Sequence, residues 1–97
     1  MDDKPTLVFF TSRRSGPARR MESLLAHLAR KERGRLVVRR VDVEEHPDLV
    51  ERFRVKEVPT LTLIKNKRVV GRLEGRATAP RIEQLLEPHL REAAGVA

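Results

Sequence analysis

One stretch near the start of the chain restricts the fold more than any other: a strand, a long helix and a second strand in direct succession. Leu7 to Phe10 is a continuous apolar run, typical of a strand buried on both faces, and predicts a strand over Thr6 to Thr11. The apolar stripe of the following helix consists of Met21, Leu24, Leu25 and Leu28. The valine-rich segment from Leu36 to Val43 predicts the second strand. Two strands joined by a helix of about sixteen residues form a right-handed parallel βαβ unit.

The segment after this unit predicts a short helix and an antiparallel hairpin. Pro47 to Phe53 is the short helix. Pro59 opens a strand over Thr60 to Lys65, because the first residue of a strand needs no ladder donor. Asn66-Lys67 fits a two-residue turn, and Arg68 to Glu74 is the returning strand.

A final helix follows Thr78, which is placed to cap it. Its apolar stripe consists of Ile82, Leu85, Leu86 and Leu90. Pro88 would clash with the carbonyl of Gln84, so we expect the helix to end or kink there. At the first helix, Ser15 is the expected cap and Gly34 the expected terminator.

The element order is therefore βαβαββα, an α/β sandwich built on one small mixed sheet. At 97 residues the chain suits one domain, which we place at residues 4–90. Residues 1–3 and 91–97 are expected to be loosely ordered tails.

Composition excludes several classes of function. The chain has no cysteine, which excludes disulfides, thiol catalysis and cysteine metal sites. The longest apolar run is four residues, far short of the roughly 20 that a membrane span needs. The acidic start of the chain lacks the apolar region of a signal peptide, so we expect a cytoplasmic protein with no membrane contact.

Four segments, in order, resemble the thioredoxin family. Phe9 to Arg19 resembles the first strand and the Trp-Cys-Gly-Pro-Cys-Lys active-site loop. Val41 to Pro47 resembles the second strand and its exit, and Phe53 to Leu61 resembles the approach to the family's cis-proline. Ile64 to Gly75 resembles the family's hairpin and the glycine after it. The resemblance covers about 85 residues, lacks the usual first strand and helix, and implies a minimal four-stranded sheet of order 2-1-3-4.

The departures from the family pattern bear on activity. The two family cysteines fall on Ser15 and Ala18, so the residues at the active-site positions are Ser15, Gly16, Pro17 and Ala18. The family tryptophan falls on Arg14 and the buried aspartate on Phe9. Thiol–disulfide exchange needs an attacking thiolate and a resolving thiol. The resemblance therefore implies the fold without its redox activity, and no cofactor is expected.

The resemblance also implies a groove for an extended protein segment. Its residues would be Arg14, Val58, Pro59 and Gly75. In the family, the residue before the cis-proline pairs its backbone with substrate, and backbone pairing by Val58 needs no cysteine. The Val58–Pro59 bond is accordingly expected to be cis.

Basic residues give a second reason to expect a charged partner. The net charge is +7, and sixteen of the 21 basic residues are arginine. Several arginines surround the start of the first helix, where anions are favoured. The resemblance also implies that Arg76 lies near this start, so the anion-binding candidates are Arg13, Arg14, Arg19 and Arg76. The alternative is that these arginines are solvated surface residues with carboxylates nearby. A second basic group, consisting of Lys65, Lys67, Arg68 and Arg72, is expected at the hairpin, pointing away from the first.

Three hypotheses follow. The first is a redox-inactive module that holds an extended, acidic protein segment. The second is charge-driven binding of nucleic acid or another anion, against which the absence of exposed aromatics and the separation of the two basic groups count. The third is an enzyme that uses non-thiol chemistry. For Ser15 to act as a nucleophile it needs a nearby base, and no histidine is placed to serve as that base, so its expected role is the helix cap.

No metal is expected. The acidic group after the second strand lacks companions at metal-ligand spacing and is expected to be a solvated strand end; it consists of Asp42, Glu44 and Glu45.

Overall fold

A computed structural model describes residues 4–93 and contains a four-stranded mixed sheet with three helices. The strands have the order β2-β1-β3-β4 in the sheet, which confirms the predicted order 2-1-3-4. The elements along the chain are β1 (Thr6–Thr11), α1 (Gly16–Lys31), β2 (Val37–Asp42), α2 (Pro47–Arg52), β3 (Thr60–Lys65), β4 (Arg68–Glu74) and α3 (Ala79–Ala93).

The register of the strands divides the sheet into two ends. β1 runs parallel to β2, with Thr11 opposite Asp42, and antiparallel to β3, with Phe10 opposite Thr60. Thr60 in turn faces Glu74 of β4. One end of the sheet, here the site end, therefore gathers the ends of β1, β2 and β4 and the start of β3. The far end gathers the starts of β1, β2 and β4 and the β3–β4 turn.

Alternation along β1 separates two packed layers. Leu7 and Phe9 are at most 2% exposed and lie in one core cluster with residues of α1 and α3. Phe10 lies on the opposite face, where its ring is 5.8 Å from that of Phe53, just after α2. The continuous apolar run predicted this burial on both faces. No helix in the described part of the chain is long and apolar enough to cross a membrane.

Two local predictions are confirmed by the backbone. The side chain of Ser15 accepts a hydrogen bond from the N–H of Ala18 at 3.1 Å, which caps α1. Asn66 and Lys67 both have positive φ, 54° and 66°, as a two-residue type I′ hairpin turn requires.

The structure corrects the predicted end of α1 and excludes one of the two outcomes, an end or a kink, expected at Pro88. Gly34 does not end α1 in a left-handed conformation; the helix ends at Lys31 with Glu32 as its cap. Pro88 does not end α3, which runs on to Ala93. Leu86 and Leu90 are 1% and 7% exposed on either side of this proline, so burial holds the helix together across the lost hydrogen bond. Residues 91–93, predicted as part of the C-terminal tail, belong to α3, and residues 1–3 and 94–97 lie outside the described residues.

Candidate functional site

The loop between β1 and α1 is organised by Ser12, a residue that the sequence did not single out. Its side chain is buried, and its hydroxyl donates to a carboxylate oxygen of Glu44 at 2.6 Å. The same hydroxyl accepts the backbone N–H of Arg14 at 3.1 Å. The N–H of Ser15 donates to the carbonyl of Ser12 at 3.1 Å. These bonds fix the backbone that leads into α1.

The segment after β2 supports this loop. Asp42 is only 7% exposed, so the prediction of a fully solvated strand end is wrong for this residue. Its carboxylate accepts the backbone N–H of Glu44 at 2.9 Å, which lowers the pKa of Asp42 below its ordinary value. Burial opposes this shift, and the nearby positive charges of Arg13 and Arg40 add to it. The N–H of Val43 also donates to the carbonyl of Thr11 at 2.9 Å.

The segment before β3 lies beside this loop, because Phe10 is paired with Thr60. The Val58–Pro59 peptide bond is cis. The hydroxyl of Thr60 donates to the carbonyl of Glu57 at 2.7 Å, and the N–H of Gly75 donates to the carbonyl of Pro59 at 2.8 Å. Both neighbours of Val58 are thus fixed in place.

Val58 itself is half-buried, and its side chain packs against the core. Neither its backbone N–H nor its carbonyl forms a hydrogen bond with any described residue. A fixed backbone with an unused donor and acceptor can pair with another extended chain.

Gly75 and Glu57 lie close together beside the segment that precedes β3. Gly75 has φ of +84°, a conformation that favours glycine. A Cβ atom at this position would lie 2.9 Å from a carboxylate oxygen of Glu57. The sequence predicted Gly75 as a groove residue but missed Glu57, since nothing in a linear pattern links a glycine to a carboxylate eighteen positions earlier.

The predicted anion-binding arginines differ in whether they have a charged partner. Arg13 lies 3.7 Å from a carboxylate oxygen of Glu45, with both side chains largely exposed. Arg14, Arg19 and Arg76 are exposed and have no ion pair or hydrogen-bonded side chain among the described residues.

Arg72 does not belong to a surface group with the hairpin cations. Its guanidinium donates to the backbone carbonyls of Phe53 and Arg54. It also lies 3.5 Å from a carboxylate oxygen of Glu74. This side chain therefore connects β4 to the end of α2, and its positive charge compensates the helix C-terminus.

Comparison with known proteins decides the family. The model of the thioredoxin family matches residues 1–88 of this chain. The chain belongs to the thioredoxin family. It is 35% identical over 74 residues to thioredoxin-1 of Drosophila yakuba, covering 76% of this chain and 69% of that protein. It is 33% identical over 87 residues to a thioredoxin-like protein of Synechocystis, covering 90% and 80%.

A solved structure gives the same answer. The germline-specific thioredoxin Deadhead of Drosophila melanogaster superposes with a TM-score of 0.83 at 30% identity, covering 90% of this chain and 82% of that one. The sequence-based resemblance and the fold class are therefore confirmed.

The thioredoxin active-site positions have different chemistry here. Ser15, at the position of the first family cysteine, uses its hydroxyl as the acceptor that caps α1. Ala18, at the position of the second, is fully buried. Phe9, at the position of the family aspartate, is 2% exposed in the core. With no cysteine in the chain, it has no thiolate for disulfide exchange. Within residues 4–93, no three acidic or histidine side chains are grouped as a metal site would need.

Proposed function

We propose that this chain is a redox-inactive thioredoxin-like module that binds an extended, acidic segment of a partner protein. The binding surface is the groove formed by Arg14, Val58, Pro59 and Gly75. The observation that carries the proposal is the backbone of Val58, whose donor and acceptor are both unused although the residues on either side are anchored.

Backbone pairing supplies part of the affinity. An extended partner segment beside Val58 accepts from its N–H and donates to its carbonyl. Each such bond contributes about 0.5–1.5 kcal/mol net, because both partners give up hydrogen bonds to water. The fixed neighbouring backbone reduces the entropy lost on binding. The groove does not depend on a thiol, so it is retained in a chain that has none.

Charge determines which segment is preferred. Arg14, Arg19 and Arg76 are exposed and unpaired within the described chain, while Arg13 is partly neutralised by Glu45. An acidic segment fits these arginines. Glu57 lies beside Gly75, so a carboxylate of the partner is disfavoured at that point of the groove. The preferred segment is acidic where it meets α1 and neutral where it meets Gly75.

The test is selection of peptides from a random displayed library, followed by affinity measurement on the selected sequences. Acidic peptides should dominate. Val58→Pro removes the N–H and should weaken binding about tenfold, the effect of losing about 1.4 kcal/mol. Val58→Ala is the matched control, because it shortens the side chain and keeps the N–H.

A second pair of variants tests the charge. Arg14→Glu should weaken binding more than Arg52→Glu, since Arg52 is exposed on α2 outside the groove. Equal loss of peptide affinity in Val58→Pro and Val58→Ala, or equal loss in both arginine variants, would refute the groove. Selection of basic peptides would refute the preference for acidic ones.

The other two hypotheses differ in their support. A non-thiol enzyme gains none from Ser15, because the hydroxyl that would act as nucleophile is the acceptor at the start of α1. Nucleic-acid binding gains support from a different part of the molecule, at the far end of the sheet.

A further inference from the structure

The topology gathers positive charge at the far end of the sheet, opposite the groove. Helix α1 begins at the site end and finishes just before β2 starts, and the N–H of Leu36 donates to the carbonyl of Glu32 at 2.9 Å. The Glu32–Arg35 turn therefore lies beside the start of β2. The β3–β4 turn lies at the same end, because Thr6 pairs with both Val37 and Ile64.

Two groups of cations lie at this end, on either side of the sheet edge, although they are distant in sequence. The first comes from the end of α1 and the following turn, and the second from the hairpin. The far-end patch is defined by their exposed members without a partner in the described chain, which are Arg30, Arg33, Lys67 and Arg68. Neighbouring strands are about 4.8 Å apart, so the four strand ends that separate the two groups span about 14 Å.

The described carboxylates near this end already have partners. Arg35 donates twice to one oxygen of Glu32, at 2.7 and 3.0 Å, and Lys31 lies 3.7 Å from Glu83. These two pairs neutralise themselves and leave the far-end patch charged. Glu87 lines the same surface as Lys31, Glu32 and Arg35 and has an interaction of its own, and Asp2 and Asp3 precede β1 in the sequence.

The hairpin part of the patch is unfavourable by itself. Lys67 lies in the turn with positive φ, a conformation for which lysine has no preference. Arg30 compensates the C-terminus of α1, but no such effect accounts for Lys67 and Arg68.

We infer that the far-end patch binds the phosphate backbone of a nucleic-acid duplex without reading its sequence. Duplex DNA carries one negative charge per 1.7 Å of axis when both strands are counted, so a length of about 14 Å holds about eight phosphates, of which four would pair with the four cations of the patch. The chain has only three aromatic residues: Phe9 and Phe10 are buried and Phe53 packs against Phe10. Without an exposed ring on which bases can stack, a duplex is favoured over a single strand.

The salt dependence of binding gives the first test. Four phosphate contacts predict a slope of log K against log salt of about −3.6, or a loss of about 150-fold between about 50 and 200 mM salt. Fluorescence anisotropy of a short labelled DNA duplex of mixed sequence, titrated with the full chain at each salt concentration, measures this slope. No binding at the lower salt concentration would overturn the inference.

Paired variants locate the contact. Arg33→Gln with Arg68→Gln removes one exposed cation from each group and should halve the slope to about −1.8. The double variant Arg14→Gln with Arg19→Gln removes the same charge from the start of α1 and should leave the salt slope unchanged. Equal effects of the two double variants would contradict a patch. The acidic peptides selected for the groove should respond in the opposite way, so failure of the patch and failure of the groove are distinguishable.

Val69 and Val70 make a lipid surface the competing partner. They are 48% and 39% exposed directly after Arg68. Vesicles of an anionic and a zwitterionic phospholipid give the comparison. Binding to anionic vesicles without binding to the duplex would refute the nucleic-acid partner, and binding to the duplex alone would support it.

Discussion

Replacing Gly75 with alanine tests the backbone geometry at the proposed binding groove through stability. Gly75 has φ of +84°, and its N–H donates to the carbonyl of Pro59 at 2.8 Å. Alanine in a left-handed conformation costs about 1–2 kcal/mol. The new Cβ would also lie 2.9 Å from a carboxylate oxygen of Glu57, but this side chain is exposed and free to move, so the contact adds little.

The assay is thermal unfolding. For a domain of this size, 1 kcal/mol shifts Tm by about 4–8 °C, so Gly75→Ala should lower Tm by about 5–15 °C. Gly34→Ala is the matched control. A Cβ at Gly34 meets nothing within 4 Å and its φ is not left-handed, so this change should be neutral or stabilise by up to about 1 kcal/mol.

A double variant separates the two contributions at Gly75. Glu57→Ala with Gly75→Ala removes the close contact and leaves the backbone strain, so most of the loss in Tm should remain. Full recovery in the double variant would assign the cost to Glu57. Equal Tm values for Gly75→Ala and Gly34→Ala would refute the argument from backbone conformation.

Three further changes test the local chemistry of the site. Ser15→Ala should cost about 1 kcal/mol in chemical denaturation, because α1 loses its cap, whereas Ser23→Ala on the exposed face of α1 should not. The pKa of Asp42 is lowered in the folded state, so its charge stabilises the fold above about pH 4, and this contribution is lost as the pH falls through the folded pKa. The stability of Asp42→Asn should therefore differ from that of the wild type near pH 6 and converge with it in acid. A difference in stability that stays constant with pH would refute this. The double variant Ser15→Cys with Ala18→Cys places two thiols one helical turn apart at the start of α1 and should form an intramolecular disulfide. The disulfide is seen as the loss of two hydrogens in the intact mass. A dithiol that persists under oxidising conditions would contradict the geometry.

The sheet could be predicted because its signals are local. The apolar run from Leu7 to Phe10 and the Asn66-Lys67 turn determine strand, burial and hairpin from adjacent residues. The thioredoxin resemblance then supplied the strand order, which depends on the order of four segments rather than on any one of them.

The missed features depend on contacts between distant residues. Ser12 and Glu44 are 32 positions apart, and their hydrogen bond forms only once β1 and β2 lie side by side. Asp42 reads as a solvated strand end until the backbone of Glu44 turns back onto its carboxylate. Of the end or kink expected at Pro88, the end does not occur, because burial of leucines on both sides holds the helix together.

The far-end patch illustrates the same limit for charge. Sequence proximity grouped Arg72 with the hairpin cations, but its guanidinium is bound to the carbonyls at the end of α2. Arg33 is more than thirty positions from Lys67, yet the parallel βαβ unit brings its turn to the end of the sheet that holds the hairpin. Only the topology shows which basic residues share a surface.

Amide hydrogen exchange at Val58 tests the central claim most directly. Its N–H has no partner in the described chain, so it should exchange rapidly in the free protein, while the N–H of Gly75 is protected by Pro59. A peptide selected for the groove should slow exchange at Val58 and leave exposed amides of α2 unchanged. Protection of Val58 in the free protein, or unchanged exchange with the peptide bound, would contradict a groove that binds through its backbone.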